Sequence, residues 1–180
     1  MSKFSTKQLV YAAAAIALAM VTSMIKVFSL PMGGSVTLLS MLFIVLIGYW
    51  YGPVVGLAAG AAYGLLQFVI EPYFFTLPQV IVDYPLAFGA LGLSGFFRDS
   101  KNGLTIGYLV GVIGRFFFAF LSGWIFFGSY AGDYGMAAPV YSFAYNGSYL
   151  GAEALITILI INLPPVKKAL VYIKKMALGE

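Results

Sequence analysis

The chain has 180 residues, of which 62% are hydrophobic and only 9% charged, with a formal net charge of +4. A soluble domain keeps about a quarter of its residues charged, so this composition excludes one and indicates an integral membrane protein. Cysteine and histidine are absent, which excludes disulfides, thiol nucleophiles, thiolate or imidazole metal sites and histidine proton shuttles.

A helix needs roughly 20 mostly apolar residues to cross about 30 Å of hydrocarbon. Six segments are read as spans, at about 8–27, 36–51, 53–70, 78–97, 104–127 and 145–163. The expected fold class is an all-α, six-transmembrane-helix bundle forming one membrane domain over 1–180. The Ala-rich "YAAAAIALAM" of the first span resembles a signal-peptide cleavage region, but the apolar run continues through Ile25. That exceeds the usual signal core, so the segment is read as a retained helix. Its alanines recur at i, i+4 (Ala13 and Ala17, Ala15 and Ala19), a spacing that lets another helix approach closely. Two partners remain open: the rest of the bundle, or a separate membrane subunit.

The second and third spans meet at Tyr51-Gly52-Pro53, where Gly and Pro mark a turn. Pro78 and Pro139 are read as further boundaries, and Pro164-Pro165 as the end of the last span. Beyond it, "VKKALVYIKK" within 166–176 reads as a short basic amphipathic helix lying on an anionic leaflet. With the N-terminus inside, the inner segments carry Lys3, Lys7, Arg98, Lys101, Lys167, Lys168, Lys174 and Lys175, whereas the outer loops carry only Lys26. This bias puts both termini in the cytoplasm of a multi-pass cell-membrane protein. It also accounts for the basic balance without nucleic acid.

Three charges fall inside spans: Asp83, Arg115 and Glu153. Such residues mark function or an internal pair. Arg115 and Glu153 share mid-membrane depth, so a structural Arg115–Glu153 pair is one expectation and an Arg115–Asp83 pair another. Asp83 is shallower, about 7–8 Å below the outer boundary at 1.5 Å per residue. Around it, in the outer half, lie Tyr73, Tyr84, Phe127, Tyr141, Tyr145 and Tyr149. Interfaces attract aromatics in any case. A carboxylate among aromatic faces is also a receptor for an organic cation, with Asn146 and tyrosine hydroxyls available for directional hydrogen bonds. No G-x-x-x-x-G-K-[ST] occurs, so ATP hydrolysis by a P-loop is excluded, and no enzyme, catalytic residue, metal or cofactor is expected.

Four stretches, "LPMGGSV" at 30–36, "DYPLAFGALGLSGFF" at 83–97, "GRFFFAFLSGWIFFGSYA" at 114–131 and "VYSFAYNGSYL" at 140–150, carry a family resemblance. With the six-span layout and the Ala-rich first helix, the chain resembles, over nearly its whole length, the thiamine-specific S components (ThiT/YuaJ type) of energy-coupling factor (ECF) transporters. The resemblance implies a membrane bundle that binds thiamine from outside. It would lack its own energy source and work with a transmembrane coupling subunit and two cytoplasmic ATPases. The family's docking alanines fall on Ala13 and Ala17. Its binding acid falls on Asp83, facing the thiazolium, and its amide on Asn146, which with Tyr141 would bond the aminopyrimidine. Tyr73, Tyr84 and Phe127 would form walls, and a basic residue falls on Arg115. Two positions depart from the pattern: Ala119 stands where a histidine is frequent, and Phe127 where some members have tryptophan. The alternatives are an S component for another vitamin or a thiamine precursor, and a non-transport membrane scaffold subunit.

Overall fold

A computed structural model describes residues 4–179; Lys3, counted in the charge bias, lies outside them. Helix α1, Thr6–Ser23, opens with a capping box in which the Ser5 hydroxyl accepts from the Gln8 amide and the Gln8 side chain accepts from the Ser5 amide. It stops short of the expected residue 27, because Lys26–Ser29 (β1) and Ser35–Thr37 (β2) pair as an antiparallel hairpin. The Leu30 amide donates to the Gly34 carbonyl at 2.7 Å across the turn, where Gly33 takes φ +102°. The hairpin delays the second helix, so α2 is Ser40–Tyr51 rather than 36–51.

At about 18 Å (1.5 Å per residue), α2 is too short to cross the hydrocarbon by itself. Nearly all of it is buried, from Met41 through Trp50. A helix that is apolar all round belongs inside a bundle, and α2 is the central post against which α1, α3 and α4 pack. Helix α3, Pro53–Ile70, starts after Gly52 (φ +92°) with proline in its first turn.

Helix α4, Leu77–Phe97, changes winding along its length: α through Ile81, π over Val82–Leu86, briefly α again, and 3-10 from Ala90. Pro85 supplies no amide and its ring crowds the preceding turn, and the wide π turn absorbs both effects. The lower part of α4 packs at backbone distance on its neighbours. A Cβ on Gly56 of α3 would lie 2.6 Å from Gly48 Cα and 2.9 Å from Gly92 Cα, so only glycine permits this three-helix approach.

Helix α5 is Gly103–Phe126, followed by a 3-10 turn at Gly128–Tyr134. Helix α6 is Ala138–Asn162 and starts before the expected residue 145, because Pro139 occupies the first turn of the helix, where its missing amide costs nothing. Pro164 opens α7, Pro164–Leu178, with Leu163 as the extended joint between the two helices. Among the described residues, α1, α3, α4, α5 and α6 are long and apolar enough to cross a membrane. Among the described residues the one sheet is this small hairpin, and the other regular elements are helices.

Candidate functional site

Asp83 lies in the π turn of α4 and is held by a residue that sequence reasoning passed over. Gln79, fully buried one turn earlier, donates from Nε2 to Asp83 Oδ2 at 2.7 Å and to the Tyr73 carbonyl at 3.2 Å. Its Oε1 accepts from the Phe75 amide at 3.0 Å. One side chain thus fixes both the carboxylate and the 73–75 loop above it. The i, i+4 spacing of Gln79 and Asp83 was the available signal.

That loop carries an aromatic roof. Tyr73 and Tyr130 share a hydroxyl hydrogen bond of 2.8 Å, and Tyr73 meets Phe127 edge-on at 5.4 Å between centroids. The Tyr130 hydrogen bond raises the Tyr73 phenol above its ordinary pKa, so the phenol stays neutral and the bond persists through the physiological range. The Tyr84 hydroxyl accepts from the Tyr73 amide at 3.1 Å and donates to the Glu71 carbonyl at 3.2 Å.

Asn146 and Tyr141 sit on α6, where it meets α5. Asn146 Nδ2 donates to the Ala119 carbonyl at 3.2 Å and to the Ser142 carbonyl at 3.0 Å, while Oδ1 accepts from the Tyr149 hydroxyl at 3.1 Å. Gly123 of α5 permits the approach, since a Cβ there would collide with Ser142 Oγ and crowd Asn146 Nδ2. Tyr134, Tyr141, Tyr145 and Tyr149 then form a ladder of neighbouring rings, 5.3 to 5.9 Å apart.

The ladder descends to a cavity of about 270 Å³ beneath the hairpin, close to the ~300 Å³ lower end for small-molecule pockets. Its walls include Lys26, Glu71, Tyr84, Arg115, Tyr145 and Tyr149. Of the expected binding residues, Tyr84 and Arg115 line this space. Asp83, Tyr73, Phe127, Tyr141 and Asn146 do not line it; Tyr73 and Asn146 each join a wall tyrosine by a hydrogen bond, and Tyr141 stacks on Tyr145. Lys26 and Gln79 are among the residues that sequence reasoning left out of the site, whereas Tyr145 and Tyr149 were seen only as part of the aromatic surroundings of Asp83.

The expected charge pairs do not form. Among the described residues the one ion pair is Arg98–Asp99, at 3.5 Å. Arg115 instead lays its guanidinium on the Phe88 ring, 4.1 Å from the centroid, with no carboxylate partner. The Glu153 carboxylate is taken up elsewhere. It accepts from Thr37 Oγ1 at 2.7 Å, the Thr37 amide at 3.3 Å, Ser40 Oγ at 3.2 Å and the Met41 amide at 3.3 Å. Glu153 therefore caps the N-terminus of α2 from a distant helix, where the helix dipole favours negative charge. Arg115 and Glu153 line the same cavity but do not pair, because Thr37, Ser40 and Met41 occupy the carboxylate and the guanidinium rests on Phe88.

On α1 the two alanine pairs separate cleanly. Ala15 and Ala19 are buried against α2 and α3, and the Tyr63 hydroxyl donates to the Ala19 carbonyl at 3.3 Å. Ala13 and Ala17 face outward beside Val10 and Val21, both 60% exposed.

A family model described as "Thiamine transporter protein (Thia_YuaJ)" matches residues 9–173. Thiamine transporter ThiT of Bacillus subtilis (strain 168) is 34% identical over 165 residues, 84% of each chain. A solved structure of ThiT from Listeria monocytogenes superposes with a TM-score of 0.71 at 25% identity, over 88% of this chain and 94% of that one.

Proposed function

This chain belongs to the thiamine transporter protein family, and from that premise we propose that it is a substrate-binding S component capturing thiamine from outside for an ECF-type ATP-driven transporter. It is a multi-pass membrane protein with a transport rather than an enzymatic role. In our reading the chain makes six crossings of a single membrane domain, the short α2 completing the second together with the hairpin that precedes it, α7 lies on the inner leaflet, and both termini are cytoplasmic. A transmembrane coupling subunit and two cytoplasmic ATPases supply the energy, consistent with the missing P-loop.

The observation that supports the thiamine reading best is the Asp83 carboxylate, fixed by Gln79 beneath the Tyr73–Phe127–Tyr130 roof. A thiazolium is a permanent cation. A partly desolvated carboxylate supplies its counter-ion and the ring faces add cation–π attraction. Asn146 and Tyr141 offer hydrogen bonds to the aminopyrimidine, with Tyr84, Tyr73 and Phe127 as walls. Arg115 lines the cavity beside Phe88 without an ion pair, in a lining that also holds Lys26, Glu71 and Glu153.

Calorimetric titration of the purified protein against thiamine, its phosphates and a vitamin panel tests the assignment. Intrinsic fluorescence is a poorer reporter, because Trp124 is half exposed on the outside of α5 and Trp50 is buried at the opposite end of the bundle. Asp83→Asn keeps the Gln79 contact but removes the charge. It is expected to weaken thiamine tenfold or more with an unchanged melting temperature, and unchanged affinity removes Asp83 from the site. Phe127→Trp gives a richer ring face and should tighten binding by a few fold, on the order of 0.5–1 kcal/mol. A panel in which another vitamin binds tighter than thiamine reassigns the substrate, and no saturable binding at all favours the scaffold alternative.

A further inference from the structure

At the end of the bundle away from the hairpin, α2, α5, α6 and α7 enclose a second cavity of about 70 Å³, room for several water-sized groups. Its rim carries three ammonium groups, Lys101, Lys167 and Lys174, and among the described residues no carboxylate lines it. Asp99, the acid nearest in sequence, is exposed and pairs with Arg98. Lys174 is already oriented across the opening, with Nζ 4.0 Å from the Tyr49 ring centroid and donating to the Arg98 carbonyl at 3.2 Å.

The cavity also presents backbone donors that no protein group accepts. Asn102 gives α5 no side-chain cap, and the Leu104 and Thr105 amides, both on the wall, have no acceptor within the protein. The indole N–H of Trp50, on a ring only 6% exposed beside the cavity, also lacks an acceptor. An indole can only donate. Three cations around the open N-terminus of a 24-residue helix call for an anion rich in acceptor oxygens. The floor is apolar, formed by Leu46, Ile161, Leu170 and Val171. It suits a hydrocarbon chain continuing from that anion. Basic pockets between helices at a membrane's inner surface bind anionic headgroups for these reasons.

We propose that this cavity holds the phosphate of an anionic glycerophospholipid, with Lys101, Lys167 and Lys174 around the headgroup and the α5 N-terminus donating to the phosphate oxygens. A choline headgroup carries its own cation toward the three lysines and is disfavoured. The bound lipid would clamp α7 to the ends of α2 and α5.

The test is native mass spectrometry of the full-length protein in detergent, titrated with phosphatidylglycerol or with phosphatidylcholine. One phosphatidylglycerol is expected to persist at activation that strips phosphatidylcholine. Its apparent affinity should fall tenfold or more in the triple variant Lys101→Gln, Lys167→Gln, Lys174→Gln. The triple Lys→Arg variant should restore it, which separates lost charge from lost fold. A control triple at the same basic end but off the cavity, Lys7→Gln, Lys168→Gln, Lys175→Gln, should retain it. Equal retention in the cavity triple overturns the site, and so does equal loss in the control, which would show only diffuse attraction. A final arm adds millimolar inorganic phosphate. Displacement of the lipid by phosphate alone overturns the lipid assignment in favour of a free anion.

Discussion

Glu153→Ala is expected to destabilise the protein by about 2–4 kcal/mol, more than any other single truncation of a polar side chain in the spans. The carboxylate satisfies four donors on one short segment, the hydroxyls of Thr37 and Ser40 and the amides of Thr37 and Met41. Alanine leaves the Met41 amide buried with no partner and the part-buried Thr37 amide without its acceptor. The segment also contains Leu39 at φ +60°, a left-handed conformation that costs of order 1 kcal/mol in a non-glycine residue and persists only where surroundings hold it. Removing the cap therefore frees the strained turn as well as the helix end. In detergent the melting temperature should fall by roughly 5–15 °C. Glu153→Gln, which keeps one acceptor oxygen, should lose about half as much. Hydrogen exchange localises the effect, with faster exchange expected in Ser35–Met41 and little change in α5. A melting temperature within a degree or two of wild type would show that the four hydrogen bonds contribute no net stability.

Ala17→Trp should abolish thiamine uptake in cells while leaving binding by the purified protein within twofold. The indole would project from the outer face of α1 beside Val10 and Val21, where it meets nothing in this chain. A helix of a coupling subunit approaching that face closely would be held off by the ring. Ala19→Trp supplies the contrast. Ala19 is fully buried at the contact with Tyr63, so its enlargement overpacks the bundle and should lower the melting temperature and binding together. Should Ala17→Trp transport normally, the outward alanine face is not where coupling occurs. If it loses binding as well, α1 packs in a way this arrangement does not capture.

The contrast on α1 also marks how far the sequence could be read. Hydropathy located the long helices because lipid and buried contacts both demand apolar residues. It could not distinguish Ala17 from Ala19, since a small residue is equally suited to either face and the helix is apolar on both. The hairpin at Lys26–Thr37 was hidden for a related reason: strands of four and three residues are shorter than any window that registers membrane helices, and their apolar members merged into the flanking spans. Asp83 and the tyrosines stood out because a charge in a span is costly and aromatics near it change its chemistry. Their supports did not stand out. Gln79 is an ordinary amide until α4 turns it onto Asp83, and Tyr149 reads as one more interfacial aromatic until Asn146 accepts its hydroxyl hydrogen. The pairing of Arg115 failed on competition: depth follows from counting residues, whereas the hidden hairpin and the start of α2 bring four donors onto Glu153 that no count of depth reveals.

The π turn at Val82–Leu86 bears on how α4 is rotated. In an α-helix each residue advances the face by about 100°, so one surplus residue in a turn shifts the phase of everything beyond it by about that amount. Helix α4 is in effect two helices on one axis. The outer segment presents Gln79 and Asp83 to the site, and the inner segment, out of phase with it, presents Gly92 and Gly95 to α2 and α3. The tighter 3-10 winding from Ala90 adjusts the phase of the inner segment further. Pro85 is thus a gear between a chemical half and a mechanical half.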